Sequence, residues 1–141
     1  MQASKKIVAV GGGHCNCQVL KLLKQLLPTV NEPTSITLIN EAPASYYSGM
    51  LPGSVSKLYS DTDLTIDMAP LASWCGAEYI EKRVSKVHAN ENRLELDDGS
   101  FVDYDILALN VGSKTRGAKD TTGVWEHSLT TRPINELLPK I

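Results

Sequence analysis

Long apolar runs and an excess of positive charge are both missing from this 141-residue chain. No stretch approaches the roughly 18 to 20 consecutive apolar residues of a membrane-spanning helix, so none is predicted. Lys and Arg number 14 against 16 Asp and Glu, a net charge of -2. Because no basic surface is available to bind a phosphate backbone, nucleic acid is not expected as a partner. An apolar strand begins near Lys6 and leaves no room for a targeting peptide, so we expect a cytoplasmic location or one peripheral to a membrane.

Cysteine is also scarce, with three residues at Cys15, Cys17 and Cys75. An odd number without a paired CxxC pattern indicates neither a disulfide framework nor a zinc site, and no metal is expected. We predict that Cys15 and Cys17 are small buried residues at a tight turn. The alternative is a reactive Cys15, because a thiol near a helix N-terminus can have a lowered pKa.

The first forty residues have the pattern of a strand, a helix and a second strand. Ile7 to Val10 form a short apolar run, as in a strand that is covered on both faces. Apolar residues then recur at helical spacing until Pro28, and "TSITLIN" supplies a second strand over Ile36 to Ile39. A strand, helix and strand in this order predict a βαβ unit with parallel strands.

The rest of the chain adds an antiparallel insertion and a further buried strand. "APLASWCGAEYI" predicts a helix that ends at Gly76, followed by a strand near Tyr79. "VSKVHANENRLELDDGSFVDYD" has strand-like pieces separated by turn signals, which predicts a β-meander. Ile106 to Val111 are again typical of a buried parallel strand, and a short helix is predicted around Pro52 to Leu58. The fold class is therefore α/β, a Rossmann-like parallel sheet with an inserted antiparallel meander.

Three glycines, Gly11 to Gly13, stand where the first strand becomes the first helix. They indicate either a tight turn or a ligand that comes close to the backbone. The dinucleotide fingerprint G-x-G-x-x-G has glycines at the turn, at the pyrophosphate and where the helix packs on the strand. Gly11 and Gly13 fill the first two places, but Asn16 stands in the third. We expect the Asn16 side chain to hold helix and strand slightly apart or to lean away from their contact.

The second part of the fingerprint is an acidic residue at the end of the next strand, where it binds a ribose. Here the strand ends in "LINEAP", with Asn40 at the usual position and Glu41 after it. Either side chain could bond a ribose, and Glu41 could equally be a solvated surface charge. His14 could donate to a phosphate or make only a local hydrogen bond.

Three stretches, "GGGHCNCQVLK", "YSGMLPG" and "YDILALNVGS", carry a resemblance to a known family. With the meander between them, they resemble the FAD-binding half of the pyridine nucleotide-disulfide oxidoreductases. Within that family they are similar to the FAD-containing NADH dehydrogenase-like branch, which is related to type II NADH dehydrogenases and to the flavoprotein module fused to some selenide, water dikinases. Asn110 and Val111 stand where the family typically has Ala and Thr. The family's redox-active disulfide would fall near "SYYSGMLPG", which contains no cysteine.

The resemblance implies FAD as the bound cofactor, with NAD(P)H as electron donor and a quinone or another molecule as acceptor. It implies cofactor contacts at Gly11, Gly13, His14, Cys15, Asn40, Glu41, Ser48, Gly49, Val84 and Gly112. It suggests no catalytic acid or base, since the flavin supplies the redox chemistry. The alternative function is a nucleotide-binding module, for NAD or a mononucleotide, without redox chemistry.

The resemblance also implies that the chain is the N-terminal part of a longer enzyme and by itself inactive. Residues 1–117 would form an incomplete FAD-binding domain, and residues 118–141 a connection toward an NAD(P)H-binding domain. If a missing strand normally pairs beside Ile106 to Val111, that strand has an open edge. We therefore expect the isolated chain to associate with itself through this edge or to be marginally stable, and to hold FAD weakly at best.

Overall fold

The computed structural model describes residues 4–117 and 119–140. Two compact units are distinguished, one containing the residues up to Ser45 together with Ile66–Val111, the other Tyr46–Thr65 and the residues from Gly112 onward. The strands are β1 (Lys5–Val10), β2 (Thr34–Asn40), β3 (Ala44–Tyr46), β4 (Thr65–Asp67), β5 (Glu78–Glu81), β6 (Val84–His88), β7 (Arg93–Leu96), β8 (Phe101–Asp103) and β9 (Ile106–Leu109). The helices are α1 (His14–Leu26), α2 (Leu51–Val55), α3 (Met68–Cys75), α4 (Val124–His127) and α5 (Ile134–Leu137).

The first unit is built on a parallel sheet in which the strands lie in the order β5, β2, β1, β9. In chain order these four strands have the spatial order 3-2-1-4, as in the dinucleotide-binding fold. The strand order reverses between β1 and β9, and ligands of such sheets bind at the carboxyl ends of the strands at this point. The predicted α/β fold with a parallel sheet is confirmed.

The two faces of the sheet carry different cores because neighbouring residues of a strand point in opposite directions. On one face, Ala9 and Leu38 pack with Leu20 of α1 and Met68 of α3, all of them buried. On the other face, Val10 and its register partner Ile39 pack with apolar residues of the meander. The apolar run of β1 is therefore continuous because both of its faces are covered.

The predicted meander is the antiparallel sheet of β6, β7 and β8. Its first turn has Asn92 in the left-handed region, and its second has Gly99 there, within the "DDG" signal. Leu94 and Leu96 of the central strand are buried and cover the parallel sheet.

Several boundaries differ from the sequence prediction. The last parallel strand ends at Leu109 instead of Val111, and the predicted helix over Pro52 to Leu58 is the shorter α2. The strands β3 and β4 were not predicted, since three residues are too few to establish an alternating pattern. In contrast, α3 ends at Gly76 as predicted, because this residue has φ +74° and caps the helix in the left-handed conformation.

The second unit contains short helices with local polar contacts. Trp125 of α4 lies beneath two lysines, with the Lys140 Nζ atom 3.5 Å and the Lys119 Nζ atom 4.7 Å from its ring centroid. Lys119 also pairs with Glu136 at 3.0 Å. The predicted division into residues 1–117 and 118–141 stays a prediction, and position 118 lies outside the described residues.

No helix in the described part of the chain is both long enough and apolar enough to cross a membrane. Residues 4–117 and 119–140 likewise contain no group of three or more His, Cys, Asp or Glu side chains that could hold a metal ion.

Candidate functional site: the glycine turn between β1 and α1

Gly11 makes the turn out of β1 and lies against the backbone of β9's carboxyl end. Its φ is +84°, in the region that disfavours side chains. A Cβ atom on Gly11 would lie 2.4 Å from the Asn110 carbonyl oxygen and 2.9 Å from the Val111 Cα atom. The Gly11 N–H donates to the Ile39 carbonyl at 2.8 Å, which fixes the turn to β2 as well. Gly11 is therefore required by conformation and by space.

The next two glycines are also closely approached by the chain itself. A Cβ atom on Gly12 would lie 2.1 Å from the Met68 sulfur and 2.5 Å from the Ser45 hydroxyl oxygen. A Cβ atom on Gly13 would lie 2.1 Å from the Asn110 Oδ1 atom. All three glycines thus make room for protein atoms, so the turn is both tight and closely packed.

Asn40 braces the turn from the end of β2. It is 8% exposed, its Oδ1 atom accepts from the Gly12 N–H at 2.8 Å, and its Nδ2 donates to the Ala42 carbonyl at 2.6 Å. A carboxylate could accept the first of these bonds but could not donate the second. This accounts for an amide where the fingerprint has an acid. A contact between Asn40 and a ribose stays a prediction.

Asn16 corrects one of the two alternatives drawn from the missing third glycine, that its side chain leans away; that it holds helix and strand slightly apart stays a prediction. Its side chain is 1% exposed and does not lean away from the helix–strand contact. The Nδ2 atom donates to the Val10 and Gly11 carbonyls at 3.0 and 2.9 Å, with Ala108 of β9 at 3.4 Å. The amide therefore binds the carbonyl groups at the ends of two neighbouring strands.

Asn110 is the residue of the turn that sequence reasoning missed as a contact. It follows β9, and its Oδ1 atom accepts from the Cys15 N–H at 3.1 Å and the Asn16 N–H at 3.5 Å. These N–H groups belong to the first turn of α1, which has no partners for them within the helix. Asn110 directly follows a strand of the parallel sheet, and this position was the signal in the sequence that could have placed it at the glycine turn.

The remaining residues that were predicted to contact the cofactor are divided between the two units. His14 and Cys15 are exposed in the first turn of α1, and Val84 is half-buried at the start of β6. Glu41 is exposed, with its carboxylate 3.9 Å from the Arg83 Nε atom, which makes a weak surface pair. Ser48, Gly49 and Gly112 belong to the second unit, and all three are exposed. The cofactor-binding role of these residues stays a prediction.

The two cysteines of the turn differ, which corrects the prediction that both are buried. Cys15 is exposed, whereas Cys17 is buried and its Sγ atom lies 3.4 Å from the Gly12 carbonyl oxygen. Burial, with a further contribution from Cys75, raises the pKa of the Cys17 thiol. Burial likewise raises the pKa of Cys75. A buried thiol with a raised pKa forms little thiolate at neutral pH and is a poor nucleophile.

Iodoacetamide should therefore alkylate Cys15 in the folded chain at least about tenfold faster than Cys17 or Cys75. Intact-mass spectrometry at pH 7.5 should first show one added group, and three after unfolding in urea. The Cys15→Ala variant is the control and should gain none on the same time scale when folded. Equal rates at all three thiols in the folded chain would contradict this placement.

A sulfide-quinone reductase of Aquifex aeolicus (strain VF5) is 24% identical to the chain over 111 residues, which cover 79% of this chain and 25% of that protein. The X-ray structure of the Aquifex aeolicus sulfide:quinone oxidoreductase matches with a TM-score of 0.71 and 22% identity, over 84% of this chain and 27% of that one. The structure of NDH2 from Plasmodium falciparum in complex with NADH matches with a TM-score of 0.70 and 19% identity, over 97% and 28% of the two chains. No family model matches the chain.

The predicted family resemblance is confirmed. The chain has the α/β fold of the matched part of these oxidoreductase structures. It spans about a quarter of the length of the relatives that it matches, 25% of the curated protein and 27% of its solved counterpart.

Proposed function

We propose that this chain forms the N-terminal FAD-binding portion of an FAD-dependent NAD(P)H oxidoreductase that passes electrons to a quinone or another acceptor. The observation that carries the proposal is the glycine turn of Gly11 to Gly13 at the point where the strand order of the parallel sheet reverses. The meander between β5 and β9 and the similarity to a sulfide-quinone reductase and to NDH2 in complex with NADH support it.

The donor set at the turn fits the diphosphate of a dinucleotide. The first turn of α1 directs N–H groups and the positive end of the helix dipole to one place. The N–H groups of Cys15 and Asn16 there already bind an oxygen acceptor, the Oδ1 atom of Asn110. The helix has no acidic residue in its first turn, so this turn itself places no negative charge beside a phosphate.

When bound, FAD supplies the hydride and electron transfer chemistry. The chain's own contribution is to bind and orient the cofactor. Asn40 and Asn16 hold the turn in place from both sides through four carbonyl and amide groups at 3.0 Å or less. A rigid turn presents its N–H groups without a further loss of entropy on binding.

A negative charge at Cys15 should weaken FAD binding without unfolding the chain. We expect the Cys15→Asp variant to bind FAD at least about tenfold more weakly, because its carboxylate would repel the diphosphate at close range. Its stability should be equal or higher, since an acidic residue in the first turn of a helix is favourable. Calorimetric titration of the purified chain with FAD measures the affinity, and urea unfolding measures the stability.

The matched control is Gln25→Asp, which adds the same charge to an exposed position of the same helix. It lies about 15 Å from Cys15 along the helix, beyond the range of unscreened interaction at physiological salt. We expect it to bind FAD like the wild type. Equal affinity in the Cys15→Asp variant, or stronger binding of NAD than of FAD, would contradict the proposal.

A further inference from the structure

Two acceptors compete for the same N–H groups at the start of α1. The proposed function requires a diphosphate oxygen there, but the Oδ1 atom of Asn110 already accepts from the N–H groups of Cys15 and Asn16. The space above Gly13 is filled too, because its missing Cβ would lie 2.1 Å from Oδ1 and 2.5 Å from Cγ of Asn110. The second fingerprint glycine normally leaves this space for pyrophosphate.

We propose that Asn110 is an affinity-determining residue, whose carboxamide occupies the diphosphate position and must turn away when a dinucleotide binds. The proposal rests on the proposed function, because it names the side chain with which FAD competes. The carboxamide can leave without disturbing the sheet, since the backbone of Asn110 is held separately. Its N–H donates to the Val10 carbonyl at 2.8 Å, which continues the pairing of β9 with β1.

The two neighbouring amide side chains, unlike that of Asn110, are held in place. Asn16 and Asn40 are both buried, at 1% and 8% exposure, and moving them would break the bond of Asn16 to the Gly11 carbonyl and the bond of Asn40 to the Gly12 N–H. Asn110 is only half-buried, and its bonds go to helix N–H groups that a phosphate would satisfy equally well. Of these three amides, Asn110 is therefore the one that can exchange with a ligand.

Removing the carboxamide should strengthen FAD binding. Displacing one intramolecular hydrogen-bonded group opposes binding by an amount that corresponds to about two- to tenfold in Kd, so Asn110→Ala should bind FAD more tightly by that factor. The same factor should appear as a loss of stability of the ligand-free chain. The FAD-saturated chain should be as stable as the saturated wild type, because the side chain makes no contact with the helix in that state.

A charged side chain at the same place should have the opposite effect. In Asn110→Asp the carboxylate is a better acceptor for the N–H groups at the positive end of α1, and it repels a diphosphate. We expect this variant to be at least as stable as the wild type when ligand-free and to bind FAD at least about tenfold more weakly. The two substitutions should thus change affinity in opposite directions, and Asn110→Asp does so with nearly the side-chain volume of asparagine.

The experiment is a calorimetric titration of the flavin-free 141-residue chain with FAD and, separately, with riboflavin, which lacks the diphosphate. It compares the wild type, Asn110→Ala, Asn110→Asp and Asn31→Ala, a control that removes an exposed asparagine from the loop before β2. Amide hydrogen exchange at Cys15 and Asn16 reports whether the Asn110 contact forms, and it should be faster in Asn110→Ala. If Asn110→Ala does not fold, Asn110→Ser, whose side chain is shorter, takes its place.

Tighter FAD binding by Asn110→Ala, weaker binding by Asn110→Asp and unchanged riboflavin binding would support the proposal. If FAD binds and Cys15→Asp weakens it, but Asn110→Ala does not strengthen it, the competition is overturned while the proposed function stands. Failure of all four chains to bind FAD at millimolar concentration would overturn both. Equal gains for FAD and riboflavin would also overturn the competition, because riboflavin has no diphosphate to compete with Asn110.

Discussion

Gly11→Ala should lower the free energy of unfolding by about 3 to 5 kcal/mol, a large share of the stability of an ordinary domain. About 1 to 2 kcal/mol comes from the left-handed backbone at φ +84°. The rest comes from the new Cβ atom, which would lie 2.4 Å from the Asn110 carbonyl oxygen. Because the colliding atoms are backbone atoms of another strand, β1 and β9 would have to move apart.

The control for this substitution is Gly99→Ala in the second turn of the meander. Gly99 has nearly the same φ, +81°, but nothing lies within 4 Å of the position of its Cβ atom. Gly99→Ala should therefore lower the free energy of unfolding only by the cost of a left-handed backbone at alanine, about 1 to 2 kcal/mol. Urea unfolding followed by far-UV circular dichroism measures both variants. Equal losses for the two would show that Gly11 does not pack against β9.

Asn16→Gly should destabilise the chain by about 1.5 to 3.5 kcal/mol, although it completes the G-x-G-x-x-G fingerprint. The buried amide binds the Val10 and Gly11 carbonyls at 3.0 and 2.9 Å. Removing the amide takes this donor from both carbonyls, of which Val10 keeps the Asn110 N–H, and should cost about 1 to 3 kcal/mol. Glycine in a helix costs about 0.5 kcal/mol more than asparagine. The same unfolding measurement gives the difference from the wild type.

Gln18→Gly separates the two contributions. Gln18 is exposed on the same helix, so its replacement reports the helix cost of glycine alone, about 0.5 kcal/mol relative to glutamine. Asn16→Ala also removes the hydrogen bonds of the amide but adds no glycine, so it should lower the free energy of unfolding by about 1 to 3 kcal/mol. If Asn16→Gly were as stable as the wild type, the fingerprint glycine would be interchangeable with Asn16 and the amide would contribute nothing.

Local patterns in the sequence were sufficient for the elements of the sheet. The apolar run at β1, the helical spacing of α1 and the turn signals of the meander each depend on residues close together in the chain, and all three were predicted. The general rules for βαβ units add that the first two strands are parallel. The fold could therefore be assigned before any contact between distant residues was known.

The interior of the glycine turn was not predictable in the same way. The motif alone suggested that Asn16 would hold helix and strand slightly apart or lean away from their contact. The side chain does not lean away, because it is buried and binds the ends of β1 and β9. The difference arises because the space left by a glycine is defined by atoms from other strands. The sequence shows where side chains are missing, but it does not show which atoms fill the gap.

The sequence by itself determined that a glycine turn opens the first helix of a parallel α/β fold, since backbone freedom and hydrophobic periodicity are local properties. Only the tertiary structure decided what lies in that turn. Asn110 is 94 and 95 residues from the N–H groups that it binds, and it reaches them because β9 pairs with β1. Hydrogen bonds between such distant groups depend on strand order and register, and no local pattern specifies either.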